Sequence, residues 1–430
     1  MTVSSFLASN VQCVDFARST FPISTGIGFL DHMIDQFNSH AQIGVSIKVD
    51  QRKDEQGNSE TIITNRNAHA SMDQSVILPL CGESLGNSMK ALLSDVKIGS
   101  SSRFCCPLDE ALVECEITKS CHGKGGLIKF TLPPYGIYPR STGRSKIGEM
   151  ETKPVEGFMK SFAEAAGLEM SLCKLRGNNG HHIVESAFKA FSRALRNLID
   201  GTNTNIYDTQ PFLALWGPES DSWKQSLALE RQGQHNRKTK ETSILVDLQL
   251  DGGVKGVSID TNIPILDQIF AAFAEEANLS LEMRCQGDLW VDDHHTSEDV
   301  SIALGQVLDI ALGTKAGLNR MWCAKATSGE AVMEVTMDLS NRPCLTENLS
   351  ESEEEYIDGT LTTEMFHHML ESLTMNARMT VHIMEIKKGA IMKESAMAIA
   401  MAFGRTLKMC AAVDPRRAGK TASSKGTLSV

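Results

Sequence analysis

Hydrophobic and polar positions along this chain follow two periods, and the period changes at regular places. From Gly26 a short turn leads into an amphipathic helix that includes His32, and residues 43–49 then alternate as a strand. The same order of helix and strand returns in residues 262–284. The pattern therefore predicts mixed helix and strand in both halves of the chain.

Two longer helices are predicted to begin at His-His-x-x-Glu sets. Residues 181–185 read His-His-Ile-Val-Glu, residues 294–298 read His-His-Thr-Ser-Glu, and each set precedes an apolar-periodic run. In a helix the first His and the Glu are i,i+4 neighbours, and the second His and the Glu are i,i+3 neighbours. One helix start can thus present several metal ligands, and the candidates are His181, His182, Glu185, His294, His295 and Glu298.

A third copy of this spacing has a weaker context. His367, His368 and Glu371 lie inside the helix-like run 363–373, with no Gly or Asp turn before them. We interpret this copy as one face of an amphipathic helix and assign it no ligand. The acidic stretch 351–355 is typical of a solvated loop.

The two halves of the chain match each other segment by segment. Residues 67–74 correspond to 292–299, Glu110 to Glu330, and Glu185 to Glu394, with offsets that shrink along the chain. One ancestral unit copied in tandem and trimmed by deletions would give this pattern. We predict a first half over 1–205, a connector over 206–235 rich in turn-forming residues, and a second half over 236–430.

Composition narrows the functional classes. The chain has 430 residues, of which 41% are hydrophobic, and this composition is typical of a globular protein. Its net charge of −11 gives no basic surface for nucleic acid. Its 11 cysteines form no C-x-x-C pair, which suits reduced thiols in a cytoplasmic setting. We expect no membrane partner, because no signal peptide and no apolar run of ~18 residues are present.

Four motifs together resemble the imidazoleglycerol-phosphate dehydratase family, twice over along nearly the whole chain. They are Gly-Ile-Gly-Phe-Leu-Asp-His-Met at 26–33, Gly-His-His-Ile-Val-Glu at 180–185, the segment 292–299 and the tail 414–426. The resemblance implies an α+β fold, here a tandem duplication whose units are each made of two repeated sheet-and-helix modules of the βαβ type. It also implies two Mn²⁺ ions per active site and sites formed between neighbouring units of a twenty-four-unit shell, which twelve tandem chains would build as a homo-oligomer.

The resemblance implies dehydration of imidazoleglycerol phosphate to imidazoleacetol phosphate in histidine biosynthesis. An imidazole ring held between two cations can help to expel the hydroxyl while a carboxylate moves protons. Imidazole and carboxylate ligands suit Mn²⁺, Zn²⁺ or Fe²⁺, and the sequence does not choose among them. By motif matching, the catalytic carboxylates are Glu241, Glu298 and Glu185, and the phosphate-binding residues are Arg320, Arg342, Lys189, Arg103, Ser423 and Lys425.

The halves depart from the family pattern in complementary ways. The first half keeps His32 and its second set, but its first set is reduced to His69, Ala70 and Asp73, and Ser171 replaces a further His. The second half keeps its first set and His382, which we also count as a metal candidate. It has Gln268 in the place of His32, and its second set is reduced to Ala390, Ile391 and Glu394.

Two hypotheses of different class follow from these departures. In the first, the intact sets of the two halves form one composite active site that keeps six of eight family ligands, and the opposite combination is weak, structural or empty. In the second, the chain is a catalytically inactive, shell-forming paralogue. The lost ligands favour this second hypothesis, whereas the retained Glu241, Lys189 and Ser423–Lys425 segment favours the enzyme. A metal-storage shell has no sequence feature of its own.

Overall fold

The computed structural model describes residues 6–12, 22–49, 73–201, 231–252, 256–414 and positions 417, 421 and 428. Close contacts divide the chain into two compact units. Unit 1 contains Met1–Cys105 and Ala111–Asn205, and unit 2 contains Cys106–Glu110 and Ile206–Val430. His69, Ala70, Ser423 and Lys425 lie outside the described residues, as does most of the predicted connector.

Unit 2 begins with a module of six elements. They are β10 (Gln232–Lys238), β11 (Thr242–Gln249), β12 (Val257–Asp260), α5 (Pro264–Glu276), β13 (Ser280–Gly287) and α6 (His294–Leu312). The sheet has the order β10-β11-β13-β12. Strand β11 pairs antiparallel with β10 and β13, and β12 pairs parallel with β13. Helix α5 therefore forms the crossover that a parallel pair requires.

The second module of unit 2 repeats this order. It contains β14 (Met321–Ser328), β15 (Ala331–Asp338), β16 (Cys344–Glu347), α7 (Thr363–Asn376), β17 (Thr380–Lys387) and α8 (Met392–Ala411). Its sheet order is β14-β15-β17-β16, again with one parallel pair, between β16 and β17. Both modules are thus a hairpin followed by a βαβ crossover and a closing helix.

Unit 1 follows a similar plan, although the described part of its first module has a sheet of three strands. Its first module contains β1 (Phe6–Gln12), β2 (Ile23–Ser24), α1 (Gly28–Ala41), β3 (Gly44–Val49) and α2 (Gln74–Met89), with sheet order β1-β3-β2. Its second module adds β4 (Ser101–Leu108, whose last three residues are grouped with unit 2), β5 (Ala111–Lys119), β6 (Gly126–Thr131), the short pair β7 (Lys146–Ile147) and β8 (Met150–Glu151), α3 (Val155–Ala166), β9 (Leu168–Arg176) and α4 (Gly180–Ile199). The sheet order of this module is β4-β5-β9-β6.

This architecture confirms the predicted α+β class. Strand β11 shows why the pattern works, because Ile244, Val246 and Leu248 alternate inward with less buried residues between them. Along α6 the buried residues recur at helical spacing, so one face of the helix covers the sheet. No helix in the described part of the chain combines the length and the apolar character needed to cross a bilayer.

A glycine sets the distance between the two helices that matter most in unit 2. A Cβ atom added to Gly305 of α6 would lie 2.8 Å from the Leu373 carbonyl oxygen and 2.8 Å from the Asn376 Cβ, both on α7. Only a residue without a side chain allows this approach. Helices α6 and α7 consequently pack backbone to backbone, and side chains near their starts can meet.

Candidate metal centres

Helix α6 starts at its His-His-x-x-Glu set, and carboxylates fix that start. The Asp292 side chain accepts a hydrogen bond from the His294 backbone N–H at 2.9 Å. Asp293 Oδ2 accepts from the Thr362 N–H at 2.6 Å and from its hydroxyl at 3.0 Å. Because Thr362 is the N-cap of α7, these bonds tie the starts of α6 and α7 together.

Three potential ligands meet between these two helix starts. The Nε2 atom of His294 lies 3.6 Å from Glu298 Oε2, and the Nε2 atom of His368 lies 3.2 Å from Glu298 Oε1. The two imidazole ring centroids are 5.4 Å apart. His368 belongs to α7, so unit 2 draws this cluster from both of its modules. We call these three residues the unit 2 cluster.

Unit 1 contains a cluster of the same composition. His181 Nε2 lies 2.9 Å from Glu185 Oε2, and His32 Nε2 lies 3.7 Å from the same oxygen. His181 and Glu185 lie on the first turns of α4, whereas His32 comes from α1 in the other module. We call His32, His181 and Glu185 the unit 1 cluster.

The carboxylate of the unit 1 cluster is held ionised. Burial opposes its charge, but the Lys189 ammonium, 2.7 Å from Glu185 Oε1, favours it. Hydrogen bonds from His181 and His32 act in the same direction. Together they hold the pKa of Glu185 well below its usual range. The carboxylate is therefore an anion at neutral pH and is suited to bind a metal cation.

Both clusters have dimensions that fit a divalent ion. In each, the ligand atoms lie within 4.8 Å of one another. Ligands ~2.1 Å from a metal are ~3.0 Å apart at neighbouring octahedral positions and ~3.4 Å apart in a tetrahedron. The observed nitrogen-to-oxygen separations of 2.9 to 3.7 Å bracket those values. Two imidazoles and one carboxylate would leave coordination positions open for substrate or further ligands.

The second His of each set points elsewhere. His295 Nδ1 lies 3.1 Å from the Asp288 carboxylate, and its Nε2 lies 3.9 Å from Glu241 Oε1. The hydrogen bond with Asp288 raises the pKa of His295, and the Glu241 charge adds to the effect. Donation from Nδ1 to Asp288 leaves Nε2 as the outward-facing nitrogen. In unit 1, His182 lies beside His181 with ring centroids 6.1 Å apart and is not part of the cluster.

His382, Glu394 and Asp73 belong to neither cluster. His382 is fully buried on β17, and its Nε2 lies 2.8 Å from the carbonyl oxygen of Asp109, a residue grouped with unit 2. Glu394 Oε2 accepts from the backbone N–H groups of Ala390 at 2.8 Å and Glu330 at 3.1 Å. Asp73 caps α2 through the Ser75 N–H. In this structure the Glu394 and Asp73 side chains therefore accept hydrogen bonds from backbone N–H groups.

The predicted phosphate-binding residues that the structure describes all contact carboxylates. Arg320, 3% exposed, donates to both oxygens of the buried Asp338 at 2.7 and 2.8 Å. Arg342 donates to Asp109 at 2.7 Å, and Arg103 donates to Glu114 from Nε at 2.6 Å. Lys189 contacts Glu185, as described above. A phosphate would have to share these cations with their present partners.

His368 was interpreted from the sequence as part of an amphipathic helix face, although the chain contains a signal for its position as a potential ligand. Helix α7 follows β16 and precedes the parallel strand β17, as α1 follows β2 and precedes β3. His32 and His368 occupy corresponding places, early in each of these crossover helices. Comparison of the two modules within one unit, in addition to the two halves, would have found this match.

Comparison with known proteins agrees with the motifs and with the modules. The family model described as imidazoleglycerol-phosphate dehydratase matches residues 25–195 and again 261–407, which together exceed half of the chain. The chain belongs to the imidazoleglycerol-phosphate dehydratase family. Because the model matches twice, the protein is a tandem two-unit member of that family, as predicted. Members depend on metal in general, which suits the two clusters.

Individual relatives each match about half of this chain. A dehydratase from Synechococcus elongatus is 39% identical over 198 residues, covering 46% of this chain and 93% of its own. The chloroplastic imidazoleglycerol-phosphate dehydratase 1 of Arabidopsis thaliana is 39% identical over 211 residues, covering 49% of this chain and 76% of its own. The Neisseria gonorrhoeae dehydratase is 37% identical over 193 residues, covering 45% of this chain, and the match spans only 62% of the relative. A crystal structure of the Staphylococcus aureus dehydratase aligns with a TM-score of 0.38 and 29% identity, over 43% of this chain and 98% of its own.

Proposed function

We propose that this chain dehydrates imidazoleglycerol phosphate to imidazoleacetol phosphate, using two divalent metal ions and Glu241 as the proton-transferring carboxylate. The observation that carries the proposal is the pair of three-ligand clusters, one in each unit, each made of two His and one Glu within 4.8 Å. The composite-site hypothesis becomes more specific in this form. The unit 1 cluster and the unit 2 cluster supply the two ions of one active site.

The two clusters add His32 and His368 to the six ligands that the sequence hypothesis assigned to the composite site. With His368 included, each unit contributes two His and one Glu in a cluster plus one further His, namely His182 or His295. Eight ligands are therefore available to two ions, compared with the six assigned from the sequence. We assign His32 to the same metal site as His181 and Glu185, and no longer to a second, degenerate site.

The reaction defines what the residues of this chain have to do. Two bound metal ions would polarise the imidazole ring and stabilise the charge that develops as the hydroxyl departs. Glu241 is exposed and lies 3.9 Å from His295, where a carboxylate can accept the carbon-bound proton. The proton and the hydroxyl leave as water. Asp288 keeps the His295 ring in one orientation throughout.

The test is turnover of imidazoleglycerol phosphate by the purified Mn²⁺-loaded chain, with metal counted per chain in the same sample. We expect activity with about two ions per chain. His181→Ala and His294→Ala should each remove turnover and one ion, because each substitution removes a ligand from a different cluster. Full activity in the double variant would refute the proposal.

The inactive shell-forming paralogue is the second candidate. It is favoured by the carboxylate partners of Arg320, Arg342 and Arg103, since a phosphate clamp works best with unengaged cations. Under this alternative the chain assembles but gives no turnover with two ions bound. Native mass spectrometry of the same sample measures assembly, and the dodecamer implied by the resemblance is the state we propose. The cytoplasm remains the proposed location.

A further inference from the structure

Asp299 follows the cluster residue Glu298 on α6, but its side chain turns inward and is 6% exposed. Its Oδ1 atom accepts from Arg237 Nη2 at 2.7 Å and Nε at 3.2 Å. Its Oδ2 atom accepts from the Thr242 hydroxyl at 2.5 Å. A buried carboxylate with three donors from β10 and β11 is a rigid anchor, because charge-assisted hydrogen bonds are the stronger ones.

Thr242 ends the turn that carries Glu241. The Thr239 hydroxyl accepts the backbone N–H groups of Glu241 at 3.1 Å and Thr242 at 2.9 Å. The Thr239 N–H donates to the Thr242 carbonyl at 2.9 Å, which closes the turn. Glu241 is exposed, whereas Thr242 is buried at 3%. The backbone of the turn that carries the exposed carboxylate is thus held partly through its buried neighbour.

We propose that Asp299 is a positioning residue that acts through Thr242 to hold Glu241 opposite His295. The inference rests on the proposed function, in which Glu241 moves the proton. It adds a physical reason for the adjacency of Glu298 and Asp299. One helical turn of α6 presents a cluster ligand outward and fixes the proton-transferring carboxylate from behind, so both keep one register with the substrate.

The experiment compares Thr242→Val with Thr242→Ser in the full chain. Valine matches the shape of threonine but removes the hydroxyl that Asp299 accepts, whereas serine keeps it and is the matched control. We expect Thr242→Val to lower kcat by about ten- to a hundredfold with KM within about twofold, because small misplacements of a reacting group cost this much. Thr242→Ser should keep most of kcat. Metal content should stay the same in both variants.

Two further measurements separate positioning from general damage. Hydrogen exchange of the Glu241 and Thr242 amides should accelerate in Thr242→Val but not in Thr242→Ser, with the rest of β10 and β11 unchanged. In a Glu241→Gln background, Thr242→Val should cause no additional loss of kcat. An equal loss in both backgrounds, or unchanged kcat and exchange in Thr242→Val, would overturn the inference.

Failure of the proposed function gives a different result. If the wild-type chain has no turnover, the dehydratase assignment fails and the kinetic comparison has no basis. The exchange measurement still decides whether Asp299 and Thr242 hold the turn, since it needs neither metal nor substrate. Retained amide protection in Thr242→Val would then reject the positioning role as well.

Discussion

His368 is the residue whose substitution tests the metal centres most directly. It is one of the three potential ligands in the unit 2 cluster and comes from a different helix than the other two. In His368→Ala the cluster keeps His294 and Glu298 on one helical turn, with no ligand from α7. We expect the wild-type chain to bind about two Mn²⁺ ions, and His368→Ala to bind one at the same concentration.

A lower limit for the loss of Mn²⁺ affinity in His368→Ala follows from the general behaviour of metal sites. Removal of a group that merely supports a ligand lowers affinity by about 10- to 100-fold, and loss of a ligand should cost at least this much. Each tenfold change is ~1.4 kcal/mol, so the expected penalty is ~1.4–2.8 kcal/mol or more. Titration at buffered free Mn²⁺, followed by the electron paramagnetic resonance of the unbound ion, measures this range.

His367→Ala and His382→Gln are the controls. His367 is adjacent on α7, but its Nδ1 lies 2.6 Å from Glu347 and it is outside the cluster. His382 is one of the metal candidates from the sequence, and it lies on β17 against the Asp109 carbonyl. Both variants should keep two ions. Loss of an ion in His382→Gln with retention in His368→Ala would refute the placement of the unit 2 cluster.

Three further predictions concern single carboxylates. Asp288→Ala should weaken Mn²⁺ binding by about 10- to 100-fold in calorimetric titration, because His295 loses the acceptor that orients it; unchanged affinity would exclude this role. Glu394→Ala should leave the metal count at two but lower stability by about 0.5–2 kcal/mol in urea unfolding, as expected for a residue that caps backbone N–H groups; a lost ion would contradict it. In metal-free protein, the pKa of Glu185 is depressed, so its stabilisation is complete above the unfolded-state pKa of ~4.3 and is lost as the pH falls toward the folded-state pKa. Unfolding of wild type and Glu185→Gln should therefore differ most above about pH 5 and converge in acid, and a constant difference would contradict the depressed pKa.

The fold was accessible from the sequence because it depends on periodicity. Alternation in β11 and the helical spacing in α6 follow directly from burial of one face, and duplication supplied each pattern more than once. The helix starts at 181–185 and 294–298 were located for the same reason. Both helices begin within a residue of the predicted sets.

The composition of each cluster was less accessible, because it depends on contacts between elements distant in the chain. Spacing alone makes both His residues of a set equal candidates for metal binding. In the folded chain, however, His294 lies near Glu298 and His295 lies near Asp288. The role of Asp288 could not be read from its place seven residues earlier. His368 was discounted because its set has no turn before it, although a lone His on a crossover helix needs none.

Among the positions that form the two clusters the losses occur in matched groups, whereas His382 and Ser171 do not follow this pairing. The matched losses favour metal binding by both surviving clusters. In unit 2, Gln268 of α5 stands where α1 has His32, and the set at the start of α8 is reduced to Ala390, Ile391 and Glu394. In unit 1, the first set is reduced, and α3, which corresponds to α7, contains no His over Val155–Ala166. A ligand set and the His that completes it have therefore disappeared together, while the other set and its completing His have stayed together. Because a metal site with one missing partner loses most of its affinity, the remaining ligands of a broken cluster have no further use and can change to structural roles, as Glu394 has.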